Sequence, residues 1–231
     1  DKMNAEMQRE AMLSHEITLE IRSANDDSRK QKEDIAYFID KKVDLLIVSP
    51  NEAGEVTPAV DEAFDAGIPV VVVDRNVTGD KYTAFISADN VQIGHMQGQY
   101  VAGNLRPGEK VIEIKGLTGS TPAMERHDGF IAGLGDAGVE IVASIDAEWS
   151  SDLACQLTDS LLRIYPDVSM IVAQNDPMAN GAYRAAEALY PRNDIKFIGV
   201  DALPGKGLGV EAIINGQLDA SILYPTGGDV V

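Results

Sequence analysis

Residues 69–75 read Pro-Val-Val-Val-Val-Asp-Arg. Four successive valines do not alternate between apolar and polar. They fit a strand covered on both faces, as in a parallel sheet flanked by helices. The Asp-Arg pair directly after the run sits at the carboxyl end of that strand, where open α/β sheets bind their ligands. The same order recurs in both directions. Strand-like runs are read at 17–23, 45–49, 69–73, 110–115, 140–145, 170–173, 196–200 and 219–223. Helical patterns lie between them; in 34–41, Ile35, Phe38 and Ile39 share one face. This βα alternation predicts an α/β protein built from doubly wound parallel sheets. An (αβ)8 barrel is the competing architecture and would need eight clean units.

The chain has 231 residues, enough for one large domain or two small ones. Apolar residues are 45% and charged residues 24%, as in a folded globular chain. Lysine plus arginine is 19 against 37 acidic residues, a net charge of −18. That balance disfavours nucleic acid and anionic membrane surfaces, both of which need a basic face. No apolar run approaches the roughly 18 residues of a membrane span. The single cysteine, Cys155, excludes an intrachain disulfide. No signal peptide opens the chain, which fits a processed, internal or cytosolic piece.

Helix starts are well marked. Thr121 precedes Pro122, Asp176 precedes Pro177, and Asp89 stands before a helix reaching Leu105. In that last helix Gly94 and Gly98 are spaced to let it lie close on a sheet. Arg106-Pro107-Gly108 breaks the pattern and places a domain division there. The opening residues 1–14 read as a helix, with Met3, Met7 and Ala11 on one face. Because a doubly wound domain normally opens with a strand, the chain reads as cut from something longer.

Several chemistries lack their residues. A phosphate-binding P-loop and a G-x-S-x-G elbow are missing. Gly205-Lys206-Gly207-Leu208-Gly209 has Val210 where a dinucleotide fingerprint needs its third glycine. His15, His95 and His127 are scattered without metal-ligand spacing, so no metal and no cofactor are expected. Polar and aromatic residues instead gather after the strands: Asp74 and Arg75, Arg126, Trp149, Asn175 and Asp176, and Asp201. Carboxylates take sugar hydroxyl protons, guanidinium forks fill hydroxyl acceptors, and an indole covers the C–H face of a sugar ring. Each residue also has a bland reading: ion pair for Asp74-Arg75, helix cap for Asn175-Asp176, surface pairing for Arg126, core for Trp149, turn for Asp201. Asp176 is expected to cap its helix while Asn175 faces the ligand.

The segments VVDRNVTGDKYTAFISADN (72–90), TPAMERHDGF (121–130), VAQNDPMANGA (172–182) and IGVDALPG (198–205) resemble the LacI-like, ribose-binding periplasmic sugar-binding superfamily. The resemblance runs in order along essentially the whole chain. It implies two doubly wound parallel-sheet lobes of the type I periplasmic binding protein kind, closing on a sugar. Residues 1–105 would be the N-terminal lobe, 106–223 the C-terminal lobe, and 224–231 the start of a hinge crossover. It implies truncation at both ends: the family's first strand would precede Asp1, leaving a gap in the N-terminal sheet, and the final crossing would follow Val231. The implied ligand-binding residues are Asp74, Arg75, Arg126, Trp149, Asn175 and Asp201, with Tyr224 at a hinge-side polar position and Asn51 beside the cleft.

The segments SPNEAGEVTPAV (49–60) and LYPTGGDVV (223–231) resemble one branch, the extracytoplasmic sensor domains of hybrid two-component histidine kinases in Bacteroidetes. The resemblance then implies a non-catalytic periplasmic domain that binds a monosaccharide and signals to a membrane-spanning kinase in the same polypeptide. A transport protein delivering sugar to a permease and the effector domain of a LacI-type repressor share the same binding chemistry. A homodimer is compatible with any of these, and an enzyme lacks a nucleophile–base set.

Overall fold

The computed structural model describes residues 2–14, 16–191 and 194–224. The chain folds as two compact units, the first reaching Ala88 and the second spanning Asp89–Tyr224. The first unit contains α1 (Lys2–Met12), α2 (Ser28–Lys41), β1 (Leu46–Val48), α3 (Ala53–Asp65), β2 (Val70–Val73) and β3 (Ala84–Ile86). Its strands form one parallel sheet in the order β1-β2-β3. The valine run is β2, the central strand, with Val70 and Val72 fully buried against Val56 and Val60 of α3. Asp27 starts α2 by accepting the backbone N–H groups of Arg29 and Lys30 at 2.9 and 3.0 Å.

Two expectations change in this unit. Residues 17–23 form no strand. β1 is paired only with β2, so no ladder among the described residues accepts the segment's backbone groups. Side chains tether it instead: Arg22 donates to Asp34 at 3.1 Å and stacks 3.6 Å from the Tyr37 ring centre, while Lys41 pairs with Glu20. Conversely, β3 escapes a reading by periodicity because three residues are too few to show one.

The second unit runs α4 (Asn90–Asn104), β4 (Lys110–Lys115), α5 (Thr121–Leu134), β5 (Glu140–Asp146), α6 (Ser151–Ile164), β6 (Val168–Ala173), α7 (Asp176–Leu189), β7 (Lys196–Asp201), α8 (Gly209–Ile214) and β8 (Ala220–Leu223). All its pairings are parallel, in the order β5-β4-β6-β7-β8. The strand order reverses at β4 and β6, which is the crevice position of a doubly wound sheet. Both faces are covered. Ile112, Ile114, Ile171 and Ala173 pack with α6 and α7 residues, while Val111, Met170, Val172 and Ile198 pack with Val101 of α4 and Phe130 of α5.

The boundary between the units differs from the expected division at 105/106. Helix α4 belongs to the second unit because it packs backbone to backbone on α5. A Cβ on Gly94 would lie 2.0 Å from the Arg126 carbonyl oxygen, and one on Gly129 would lie 2.0 Å from the Val91 carbonyl oxygen. The glycines therefore bring α4 close to another helix, not to the sheet. Asp89 does cap α4, accepting from Gln92 N at 2.8 Å.

In an open helix site glycine to alanine stabilises by about 0.5–1 kcal/mol. Gly103, with nothing near its would-be Cβ, should follow that rule when changed to alanine. Gly129→Ala should instead destabilise by roughly 1–3 kcal/mol through overpacking. Urea unfolding of the two variants should shift in opposite directions from the parent.

Candidate functional site

In the first unit the groups after β1 and β2 meet. Asp74 follows β2 with a left-handed backbone (φ 64°), a costly conformation for a residue with a side chain. Its N–H donates to Ile86 O at 2.9 Å, and Ser87 Oγ donates to its carbonyl at 2.7 Å. Arg75 Nη1 donates to the Asn51 carbonyl and to Asn51 Oδ1 at 3.2 and 3.3 Å, and Arg75 Nε lies 3.9 Å from Asp74 Oδ2. Asn51 is buried; its Nδ2 donates to Asp26 O and Ser28 Oγ. Its side chain is thus a brace that orients Arg75, more than the group beside a cleft that the sequence suggests.

In the second unit the site is organised around Arg126, one turn into α5 and only 5% exposed. Its Nε donates to Asn90 Oδ1 at 2.9 Å and its Nη1 to the Gln174 carbonyl. The guanidinium carbon lies 5.6 Å from the Trp149 ring centre and 5.0 Å from that of Tyr224, within cation–π range of both. Surface pairing is thereby replaced by a buried, fixed fork. Trp149 has φ 62°, and its ring passes so close to Gly116 that a Cβ there would sit 2.2 Å from it. Gly116 is therefore the floor on which the indole lies.

Gln174 is buried and joins three elements. Its Oε1 accepts from Gly116 N at 2.9 Å, its Nε2 donates to Ala123 O at 3.0 Å, and its carbonyl receives Arg126. Neither Asn90, Gly116 nor the bracing role of Gln174 is visible in the sequence. The only signal is that Gln174 adjoins Asn175 at a strand end.

The cap expected of Asp176 is supplied by Asn175 instead. Asn175 caps α7, its Oδ1 accepting from Met178 N at 2.9 Å, and its Nδ2 makes no hydrogen bond among the described residues. Asp176 is 3% exposed and faces away from the helix end. Its Oδ2 accepts from Ala202 N at 2.9 Å and its Oδ1 from Ser221 Oγ at 2.7 Å. Burial pushes its carboxyl up to about 6, against the opposing pull of those two donors. Gly209, in the segment that imitates a dinucleotide fingerprint, has another purpose: a Cβ there would lie 1.8 Å from Asp176 Oδ2. Similarly, α5 begins at Thr121 with Ser120 at its cap position, so Thr121 is not the cap.

Asp201 ends β7 with φ 122°, followed by Ala202 at φ 49°. Tyr224 N donates to the Asp201 carbonyl at 3.3 Å. Arg126, Trp149 and Tyr224 are thus brought together, while Asn175 lies two residues beyond β6 and Asp201 ends the neighbouring strand β7. Residues 225–231 of the branch-like segment, and His15, lie outside the described residues.

One further polar cluster is present. Glu113 of β4 is buried and accepts from Ser144 Oγ at 2.6 Å, with His127 Nδ1 at 2.8 Å from the same carboxylate. The serine and histidine share a carboxylate and make no nucleophile–base pair.

A family profile described as periplasmic binding protein domain matches residues 1–228. The ribose import binding protein of Bacillus subtilis is 33% identical over 178 residues, 77% of this chain and 57% of that protein. Its Escherichia coli counterpart is 34% identical over 178 residues, 77% of this chain and 59% of that protein. The chain thus spans less than two thirds of these relatives. Among solved structures, the fructose-binding periplasmic domain of a hybrid two-component system matches at 48% identity with a TM-score of 0.95, covering 99% of this chain and 76% of that one.

Asp176 carries a pH signature. Its folded value lies above the ordinary aspartate range, so the folded protein holds a proton that the unfolded chain has released. Its contribution is complete below about pH 4 and is lost as pH rises through about 6, a loss of roughly 2–3 kcal/mol. In Asp176→Asn this slope should vanish, so the variant gains on the parent in melting temperature between pH 4 and 7. Thermal unfolding across that range reads the difference; parallel curves for the two proteins would contradict the assignment.

Proposed function

We propose, from the premise that the chain belongs to the periplasmic binding protein family, that it is a sensor domain that closes on a monosaccharide and signals to a histidine kinase. The observation that carries this reading is the likeness, across 99% of the chain, to a fructose-binding domain of a hybrid two-component system. The proposed ligand is a neutral sugar of the fructose kind, and the proposed location is the periplasm. In the described residues no helix is long and apolar enough to cross a membrane.

The proposed sugar ligands are Asp74 and Arg75 in the first unit and Arg126, Trp149, Asn175, Asp201 and Tyr224 in the second. Trp149 would cover the apolar face of the ring. Arg126 would donate to hydroxyl oxygens, Asp201 and Asp74 would accept hydroxyl protons, and Asn175 would offer its Nδ2. A ligand that touches both sets only in the closed form binds that form better and shifts the population toward it. Moving from about 1:99 to 99:1 takes roughly 5.5 kcal/mol of differential affinity, within reach of several charge-assisted hydrogen bonds at about 1.5–3 kcal/mol each.

The similarity to ribose import binding proteins favours a second reading, delivery of sugar to a permease. Reading the gene beyond Val231 separates the two. A membrane-spanning helix followed by a kinase module supports the sensor, and a stop codon supports transport.

Arg75→Ala should abolish binding of D-fructose and D-ribose in isothermal titration calorimetry while changing the ligand-free melting temperature little. With the sugar at about 100 times its dissociation constant, the parent protein should gain about 2.7 kcal/mol of stability. Full affinity in Arg75→Ala would refute the assignment.

A further inference from the structure

The helix-capping duty at the start of α7 is taken by Asn175, so the neighbouring buried carboxylate needs another reason. A carboxylate taken out of water is costly unless hydrogen bonds or a charge partner offset the lost hydration. This one is surrounded by accommodation: glycine at 199 and at 209, where a Cβ would lie 2.2 and 1.8 Å from its oxygens. Both oxygens are directed at one place, the end of β7 and the adjoining strand β8.

The turn there is unusual. Asp201 and Ala202 both have positive φ, 122° and 49°, which side-chain-bearing residues rarely adopt. The peptide joining them is held on both edges. Its carbonyl accepts from Tyr224 N at 3.3 Å, and its N–H donates to Asp176 Oδ2 at 2.9 Å. Ser221 Oγ, 3.0 Å from the same N–H, is itself fixed by Asp176 Oδ1. The direction in which the Asp201 side chain leaves the strand follows from the orientation of this peptide.

We propose that Asp176 is a positioning residue whose buried carboxylate holds the Asp201–Ala202 peptide so that Asp201 is pre-aimed at the sugar. This rests on the reading of Asp201 as a sugar ligand. Pre-aiming a ligand group removes the ordering cost that binding would otherwise meet. Asparagine at 176 retains an oxygen that can accept from Ala202 N, whereas alanine does not. The variants therefore separate turn-holding from mere burial.

The test uses calorimetric titration with D-fructose and D-ribose, alongside amide hydrogen exchange at Ala202. Asp176→Ala should weaken sugar binding about tenfold or more and speed exchange of the Ala202 amide. Asp176→Asn should stay within about threefold of the parent in affinity, with Ala202 still protected. Asp201→Ala serves as the control and should lose binding. If Asp201→Ala loses binding while Asp176→Ala keeps it, the positioning role is overturned and the site reading stands. If Asp201→Ala binds like the parent, the site reading falls and takes this inference with it. Should Asp176→Ala not fold, Ser221→Ala carries the test. Several-fold weaker binding with faster exchange at Ala202 supports the role, and parental affinity with parental exchange overturns it.

Discussion

A guanidinium withdrawn from water has to be met on its donor edges and faces, and the second unit is arranged to do this for Arg126. Asn90 comes from α4, the Gln174 carbonyl from the end of β6, and the rings of Trp149 and Tyr224 from the ends of β5 and β8. The glycine contact between α4 and α5 belongs to the same arrangement. Gly94 admits the carbonyl of Arg126 itself, and one turn earlier on α4 stands Asn90. A larger residue at 94 would push away the helix that supplies the Nε acceptor. Helix packing and side-chain chemistry are therefore one constraint here.

Much of this was legible in the sequence because parallel strands and their ends have strong signatures. The valine run and the βα alternation predict the sheets, and the polar and aromatic residues after the strands single out Asp74, Arg75, Arg126, Trp149, Asn175 and Asp201 as candidates, whereas Tyr224 is reached only through the family resemblance. What stayed hidden depends on contacts distant in sequence. Asn90 looks like an ordinary first residue of a helix. Gly116 looks like a loop glycine until the indole lies on it. That Asn175 caps α7 in place of Asp176 is not readable, since both side chains cap helices equally well, and the glycines at 199 and 209 make the room into which Asp176 turns. Strand 17–23 failed because a ladder needs a neighbour, which periodicity does not report.

Under the proposed reading, the polar groups of each unit fit a neutral polyol. Arg75 is oriented by the neutral Asn51 and lies beside the carboxylate of Asp74, and Arg126 is met by amide oxygens and aromatic faces. Such a site offers directed hydrogen bonds without accumulating positive charge, and phosphate recognition would call for more cations.

Trp149 is the chain's only tryptophan, which makes it a built-in reporter. Titrating D-fructose or D-ribose into the protein while following indole emission tests the central claim directly. A saturable change in Trp149 emission, tracking the calorimetric affinity, is expected. Heat of binding without any change in the indole signal, or no saturable response to neutral monosaccharides, would contradict it.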